Sequence, residues 1–480
     1  MSNGLVYDVH DKPKFSHLLV FAIQQVLAIL AATIAVPTII GLPAQIPSAI
    51  LGAGIGTLIY QLLTKFKSPV YLGSSFAFLS SLGVAVAYGY CGIIVGSVVA
   101  GLVYVVLATL IHFVGTGWVD KLMPPVIIGP TVALIGLSLA GNAMGDITKA
   151  NASQINGGYN LVALLCGLIA FFVIIICSTQ KKHTMPRLIP FILGILAGYA
   201  AAAIFTAIGM AAGLDYLKII DFSPIVNNFY NADGTFRGLK AFVDYPHFAF
   251  IGAIKEIMTG NMSPEILAAS ADATRLTASG IAEVVIAFLP VALVVFAEHI
   301  ADHKNLSSII GKDLIKEPGL KRTLLGDGIG SIAGTVFGIC PNTTYGESVG
   351  CVAITKNASV VTITVTAFMC IILSFISPIM AVLQTIPSCV MGGVCLTLYG
   401  FIAVSGLKMF KDLDLNENKN LFVVAAVLIS GIGGLTIKIP YAISGAGEIT
   451  NVIQITSIAT ALIIGIVTNY VLSRFDKKDK

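Results

Sequence analysis

Apolar runs of about 20 residues recur along almost the whole chain, and each is long enough to cross a hydrocarbon core of roughly 30 Å. Only 11% of the 480 residues are charged and 56% are hydrophobic. A soluble domain carries about 25% charged residues, so lipid rather than water is the solvent that this chain is built for. The pattern predicts an all-α polytopic membrane protein forming one membrane unit. The formal charge of +4 is small and its basic residues are scattered, so a nucleic-acid partner is not expected. The eight cysteines lie mostly in apolar stretches without a CxxC pair, which argues against a structural zinc or a disulfide framework.

Fourteen membrane segments are expected, at 16–41, 45–64, 70–88, 90–116, 122–145, 159–179, 187–210, 281–303, 322–340, 345–356, 358–378, 382–405, 419–438 and 452–473. Basic residues orient them. With both termini cytoplasmic, all but seven of the 28 Lys and Arg fall on the cytoplasmic side, as the positive-inside rule requires. The seven are Lys149, Lys218, Arg237, Lys240, Lys255, Arg275 and Lys438, and five of them sit in the one long hydrophilic excursion, 211–279. Within it, Asn231-Ala232-Asp233-Gly234 reads as a tight turn between short extended pieces. The expected location is the cytoplasmic (inner) membrane.

Two segments are broken by small and polar residues that a lipid-facing helix does not tolerate. One is Tyr71-Leu72-Gly73-Ser74-Ser75-Phe76-Ala77-Phe78 in the third span, and the other is Pro341-Asn342-Thr343-Thr344-Tyr345-Gly346-Glu347-Ser348 opening the tenth. Third and tenth are matching positions in a seven-plus-seven arrangement. Met123-Pro124-Pro125 through Gly129 and Ile386-Pro387 through Gly392 form a second matching pair, opening the fifth and twelfth spans. An odd number of spans per half makes the halves inverted, an arrangement that places substrate between repeats at broken helices. Non-helical backbone at that depth must be buried in protein or line a cavity, and a planar base rich in N–H and C=O groups suits such backbone.

Acidic residues mark the chemistry. Glu298 sits near the end of an apolar run, with Asp302 four residues later on the same helical face. Glu347 follows the second break, and Asp327 lies among Gly326, Gly328 and Gly330. Carboxylates inside spans are functional-site candidates by default, and such groups can load and release a proton. Asp327 is the one expected to hold helices together rather than touch ligand. Phe76 and Tyr345 flank the breaks and offer aromatic faces to a base. His299 and His303 are spaced i, i+4, but a Glu precedes the first His, so the pair is not the HExxH metalloprotease pattern; packing is expected, and no metal. The chain lacks a GxxxxGK[ST] phosphate loop, so ATP hydrolysis is not expected.

Three stretches, YLGSSFAF at 71–78, AEHIADHKNL at 297–306 and PNTTYGESVGCVAITKN at 341–357, resemble the nucleobase/ascorbate transporter family, in particular its bacterial uracil and xanthine permeases. The resemblance runs from about Ser16 to Ser473, interrupted by the excursion. It implies fourteen segments in two inverted seven-segment repeats, with short extended stretches in the third and tenth. A core domain would comprise 16–116 and 281–378, a gate domain 122–210 and 382–473, with 211–279 as an extracytoplasmic loop. It further implies that Glu298 bonds the base, with Glu347, Tyr345, Gly346, Phe76, Ala31 and Asp302 as further substrate contacts. Glu298, Glu347 and Asp302 become the proton-coupling candidates, and Asp327, Ser75 and Ser348 structural or coupling residues. No cofactor is implied beyond a coupling proton, with sodium as the alternative ion; the partners are a nucleobase, membrane lipid and a second copy in a homodimer. Asp302 and Asp327 resemble the acids of purine-transporting relatives, and the first-span pair is Gln24-Gln25. Uracil is the favoured substrate, with xanthine or uric acid as the alternative. An anion transporter of related architecture would need cations at the site, and an intramembrane hydrolase would need His299 and His303.

Overall fold

The computed structural model describes residues 5–149, 159–180, 186–187, 189–443 and 449–475. Lys181 and Lys182, counted above as cytoplasmic, lie outside the described residues. The first helices are α1 (Phe15–Ile39) and α2 (Ile46–Leu63), followed by strand β1 (Leu72–Ser74), α3 (Leu79–Val86), α4 (Gly89–Val114) and the short α5 (Gly117–Leu122). Then come α6 (Pro125–Asp146), α7 (Leu161–Thr179) and α8 (Pro190–Ala212). The second half holds α12 (Ala278–Ile310), α13 (Leu320–Phe337), β2 (Asn342–Thr344), α14 (Gly346–Thr355) and α15 (Val360–Leu373). It closes with α16 (Ser377–Gln384), α17 (Ser388–Lys408), α18 (Asn418–Ile432), β3 (Ile437–Ile443), β4 (Ile449–Ile455) and α19 (Ser457–Phe475).

Among the described residues, nine helices are long and apolar enough to cross a membrane. The other expected segments correspond to shorter or less apolar pieces: β1 with α3, α13, β2 with α14, α15 and α18. Two boundaries differ from expectation. Helix α12 continues to Ile310 rather than 303; its 33 residues span about 50 Å at 1.5 Å each, so it overruns the hydrocarbon. It stops at Gly311, whose φ of +69° is the left-handed end that glycine takes at least cost. At the other boundary, the expected spans 419–438 and 452–473 are separated by the β3–β4 hairpin. Alternation of apolar and polar residues around Ile437 and Ile453 suits a strand, although it extends the hydropathy of both neighbours.

Contacts divide the helices into two groups. Helix α13 packs against α2 and α4, α15 against α1 and α2, and α12 against α4; separately, α17 packs on α6 and α7, α7 on α8, and α18 on α19 and α6. Close approach relies on small residues, since a β-carbon on Gly406 of α17 would run into the Ala133 backbone of α6. Helices α1 and α12 touch members of both groups.

The excursion between α8 and α12 is more helical than expected, containing α9 (Ser223–Phe229), α10 (Ala249–Thr259) and α11 (Pro264–Ala269). The turn at 231–234 is present, closed by an antiparallel bridge between Tyr230 and Phe236. Glu256 anchors the excursion. Its carboxylate accepts from Tyr90 N–H (3.0 Å) at the start of α4 and from Ser263 N–H (3.2 Å). At the chain's beginning, Val6 N–H donates to Lys356 O (2.8 Å), Val360 N–H to Val9 O (3.0 Å), and Lys312 pairs with Asp8 at 2.7 Å.

Candidate functional site

Sequence dictates where the helices break. Gly73, Ser74 and Ser75 in one segment and Asn342 in the other weaken a helix, and Thr343 and Thr344 suit extended backbone. The freed backbone groups pair with each other. β1 and β2 run antiparallel with Leu72 opposite Thr344, Gly73 opposite Thr343 and Ser74 opposite Asn342. Ser75 N–H to Pro341 O (3.0 Å) and Tyr345 N–H to Tyr71 O (3.1 Å) extend the ladder at both ends. Side chains close its edges: Leu72 N–H donates to Thr57 Oγ1 (2.9 Å), and Asn342 Nδ2 to Gly52 O (2.9 Å). Helix α14 starts at one end of this ribbon; a 3₁₀ turn at Phe76–Phe78 leads into α3 at the other. Two helix N-termini, each with unpaired N–H groups and a partial positive charge, therefore adjoin the crossing.

Open space borders it. A β-carbon added to Gly83, Gly346 or Gly350 would meet nothing within 4 Å. Gly346 is exposed and Glu347 and Glu298 are part-exposed, although Tyr345, Ser348, Ala297 and His299 beside them are buried. Asp302 lies one turn along α12 from Glu298, and α12 packs against α14, whose first turn carries Glu347. Glu298 Oε2 is buried without a hydrogen-bond partner among the described residues, an expensive condition for a carboxylate unless a ligand or water meets it.

The remaining expected site residues fall around this hollow. Asp302 accepts from Thr344 Oγ1 at 2.6 Å. Tyr345 OH donates to Ser74 O (3.1 Å) and lies 3.4 Å from Thr33 Oγ1, two residues along α1 from the fully buried Ala31. Phe76 stands edge-on to Tyr399 of α17, ring centroids 5.6 Å apart, so one group of helices meets the other across this aromatic pair. Ser348 Oγ accepts from Gln25 Nε2 at 2.5 Å, and Ser75 Oγ is buried without a partner. Asp327 sits deeper, its Oδ2 2.7 Å from His299 Nδ1.

Thr33, Thr344 and Tyr399 were not singled out by sequence. A Thr or Tyr in an apolar run carries no local signal, and only the fold shows its partner. Among the described residues, no Lys or Arg forms an ion pair with Glu298, Asp302, Glu347 or Asp327. No three His, Cys, Asp or Glu among them are arranged to hold a metal. His303 is occupied within the protein, bonded to Tyr60 OH at 2.8 Å and to the His299 carbonyl at 2.7 Å.

Broken helices that meet carboxyls inside membrane spans are the arrangement of a transporter's site. Residues 16–439 match the model of the permease family, and the chain belongs to that family: it is a multi-pass membrane transporter, not an enzyme. The uracil permease of Bacillus caldolyticus is 35% identical over 473 residues, covering 98% of this chain and 95% of the relative. The uracil permease of Bacillus subtilis (strain 168) is 34% identical, with 97% and 94% covered, and that of Escherichia coli (strain K12) is 31% identical, with 95% and 92% covered. Among solved structures, the transmembrane domain of the cyanobacterial bicarbonate transporter BicA aligns with TM-score 0.55 at 12% identity, over 96% of this chain and all of that one. Murine Slc26a9, an anion transporter, aligns with TM-score 0.61 at 12% identity, over 97% of this chain and 69% of that one. At such identity these two show the fold alone.

Proposed function

We propose that this chain is a proton-coupled symporter importing uracil across the cytoplasmic membrane. One observation carries the reading: Glu298 keeps a buried carboxylate oxygen without a hydrogen-bond partner among the described residues, on a part-exposed side chain of α12, which packs against β2 and the start of the second broken helix, α14. Uracil offers N–H donors to a carboxylate and carbonyl oxygens to backbone N–H groups, so one planar molecule satisfies both kinds of wall. Relatives named uracil permease, 31–35% identical over nearly the whole chain, support the substrate. Glu298, Glu347, Phe76, Tyr345, Gly346, Ala31 and Asp302 form the proposed substrate site. Glu298, Glu347 and Asp302 are the proposed proton carriers, and Asp327, Ser75 and Ser348 hold or couple the broken segments.

The proposed architecture has fourteen segments in two inverted repeats, with both termini cytoplasmic. The two contact groups support a core of 16–116 with 281–378 and a gate of 122–210 with 382–473, the excursion 211–279 lying outside. Core would move against gate, as rigid bodies that share a site between them do, and two copies would associate as a homodimer in lipid. The absence of paired Lys or Arg at the site, among the described residues, favours a neutral substrate over an anion despite the fold shared with anion transporters. Asp302 and Asp327 favour a second substrate, xanthine or uric acid. Proteoliposomes loaded against an inward proton gradient distinguish these. Labelled uracil should accumulate, unlabelled uracil should compete better than xanthine, uric acid, thymine or hypoxanthine, and collapse of the gradient should stop uptake. Uptake driven by sodium alone, or stronger competition by xanthine, would overturn the respective half of the reading.

A further inference from the structure

His299 adjoins the proposed binding glutamate yet faces away from the hollow, fully buried. Consecutive residues on a helix lie about 100° apart, so while His299 points into protein, Glu298 is turned to another face of α12, where its side chain is part-exposed. The imidazole bridges two residues of α13. Its Nδ1 lies 2.7 Å from Asp327 Oδ2, and its Nε2 lies 3.0 Å from Thr323 Oγ1. Helix α13 otherwise packs mainly on α2 and α4, so these bonds tie it to α12. Such a tie has work to do. Pro290 lies two turns before Glu298 inside α12, and a proline removes an intrahelical hydrogen bond and loosens the helix at that point. Ser81 Oγ donates to Ala287 O at 2.7 Å, next to the Ile286 carbonyl that Pro290 leaves without its usual partner. Beyond Pro290, no partner among the described residues bonds Glu298 Oε2, so the glutamate's direction is set by how that half of α12 is turned.

The geometry points to His299 as a positioning residue: its two-nitrogen clamp on Asp327 and Thr323 fixes the rotation of α12 and so aims Glu298 into the hollow. The inference deepens the transport reading and rests on it for its functional consequence, but the clamp itself is testable without substrate. It also explains a pair of polar groups buried deep in the membrane unit. If His299 merely neutralised the Asp327 carboxyl, removing both side chains together would be harmless. If it aims Glu298, removing both would not be.

In a background with the native cysteines replaced, Glu298→Cys is labelled with a small polar methanethiosulfonate in detergent or liposomes. With His299 present, position 298 should react. In His299→Leu the rate should fall roughly fivefold or more, while His299→Asn, which keeps a donor toward Asp327, should retain most of it. The pair variant H299L/D327L should remain as slow as H299L; recovery to the His299 rate would show simple neutralisation and overturn the inference. Thr323→Val removes a single bond and serves if H299L is not monodisperse on size exclusion; it should slow labelling about twofold, and an unchanged rate would overturn the clamp. In parallel, with Glu298 intact, H299L should raise the KM for uracil about tenfold with H299N near wild type. A wild-type protein that fails to take up uracil would refute the transport reading and leave the labelling result to decide the clamp.

Discussion

Both interruptions give three extended residues followed by a helical turn, yet their chemistry differs. After β1 come Ser75, Phe76, Ala77 and Phe78, none ionisable; after β2 come Tyr345, Gly346 and Glu347. The first break offers backbone, buried hydroxyls and an aromatic edge against Tyr399. Hydroxyls of the second orient acids, since Thr344 donates to Asp302, and Glu347 occupies the first turn of α14, where a carboxylate is favoured by the helix dipole. Shared geometry thus divides the labour: one side supplies a wall for a planar ring, the other supplies groups able to carry protons. The two remain interdependent, because Tyr345 of the second break fills the space above Gly73 of the first.

That interdependence gives the largest expected effect. A β-carbon on Gly73 would overlap the Tyr345 ring, so Gly73→Ala should displace Tyr345 and the start of α14 and abolish uracil uptake, even though the substitution touches no acid. Wild-type uptake by purified, reconstituted G73A protein would show that the two breaks act independently. Next comes Thr344→Val, which keeps side-chain shape and removes the hydroxyl bonded to Asp302. Losing one such hydrogen bond costs about 1 kcal/mol, so a several-fold fall in uptake is expected. No change in the initial rate would remove Asp302 from the working site.

The smallest effect lies outside the membrane unit's interior. Lys312 beside Asp8 holds that carboxyl below its usual range, so the pair stabilises the fold above the unfolded carboxylate value and loses that contribution as pH falls through the folded one. Both side chains are about half exposed, which limits the pair to about 0–1 kcal/mol. Asp8→Asn should therefore lower the melting temperature slightly at pH 7, converge with wild type toward pH 3, and leave uracil uptake intact. A difference that persists at low pH would assign Asp8 another role.

Much of this architecture is legible in the sequence because lipid leaves few options: a long apolar run becomes a helix, and Gly, Ser, Asn and Thr interrupting it become a break. The two breaks and the acids near them were visible on those grounds. Their antiparallel register was not, since residues 72 and 344 are paired across most of the chain and no local pattern encodes a partner. Nor was the His299 link to Asp327, for an i, i+4 histidine pair says nothing of which helix it will face. The β3–β4 hairpin escaped because its isoleucines extend the hydropathy of the flanking spans. Helix α12 ran past its expected end because Leu306 and Ile310, spaced i, i+4 and buried, continue its packed face, whereas hydropathy registers only where the apolar run stops.

The central claim is that Glu298 meets the substrate in a hollow where the protein leaves one of its oxygens unpaired. Glu298→Gln, purified and reconstituted with wild-type folding confirmed by size exclusion and melting temperature, tests it by equilibrium binding of labelled uracil. Replacing the carboxylate by a neutral amide should weaken binding by roughly ten- to a hundredfold and eliminate gradient-driven uptake. Wild-type affinity together with wild-type uptake in that variant would contradict the assignment.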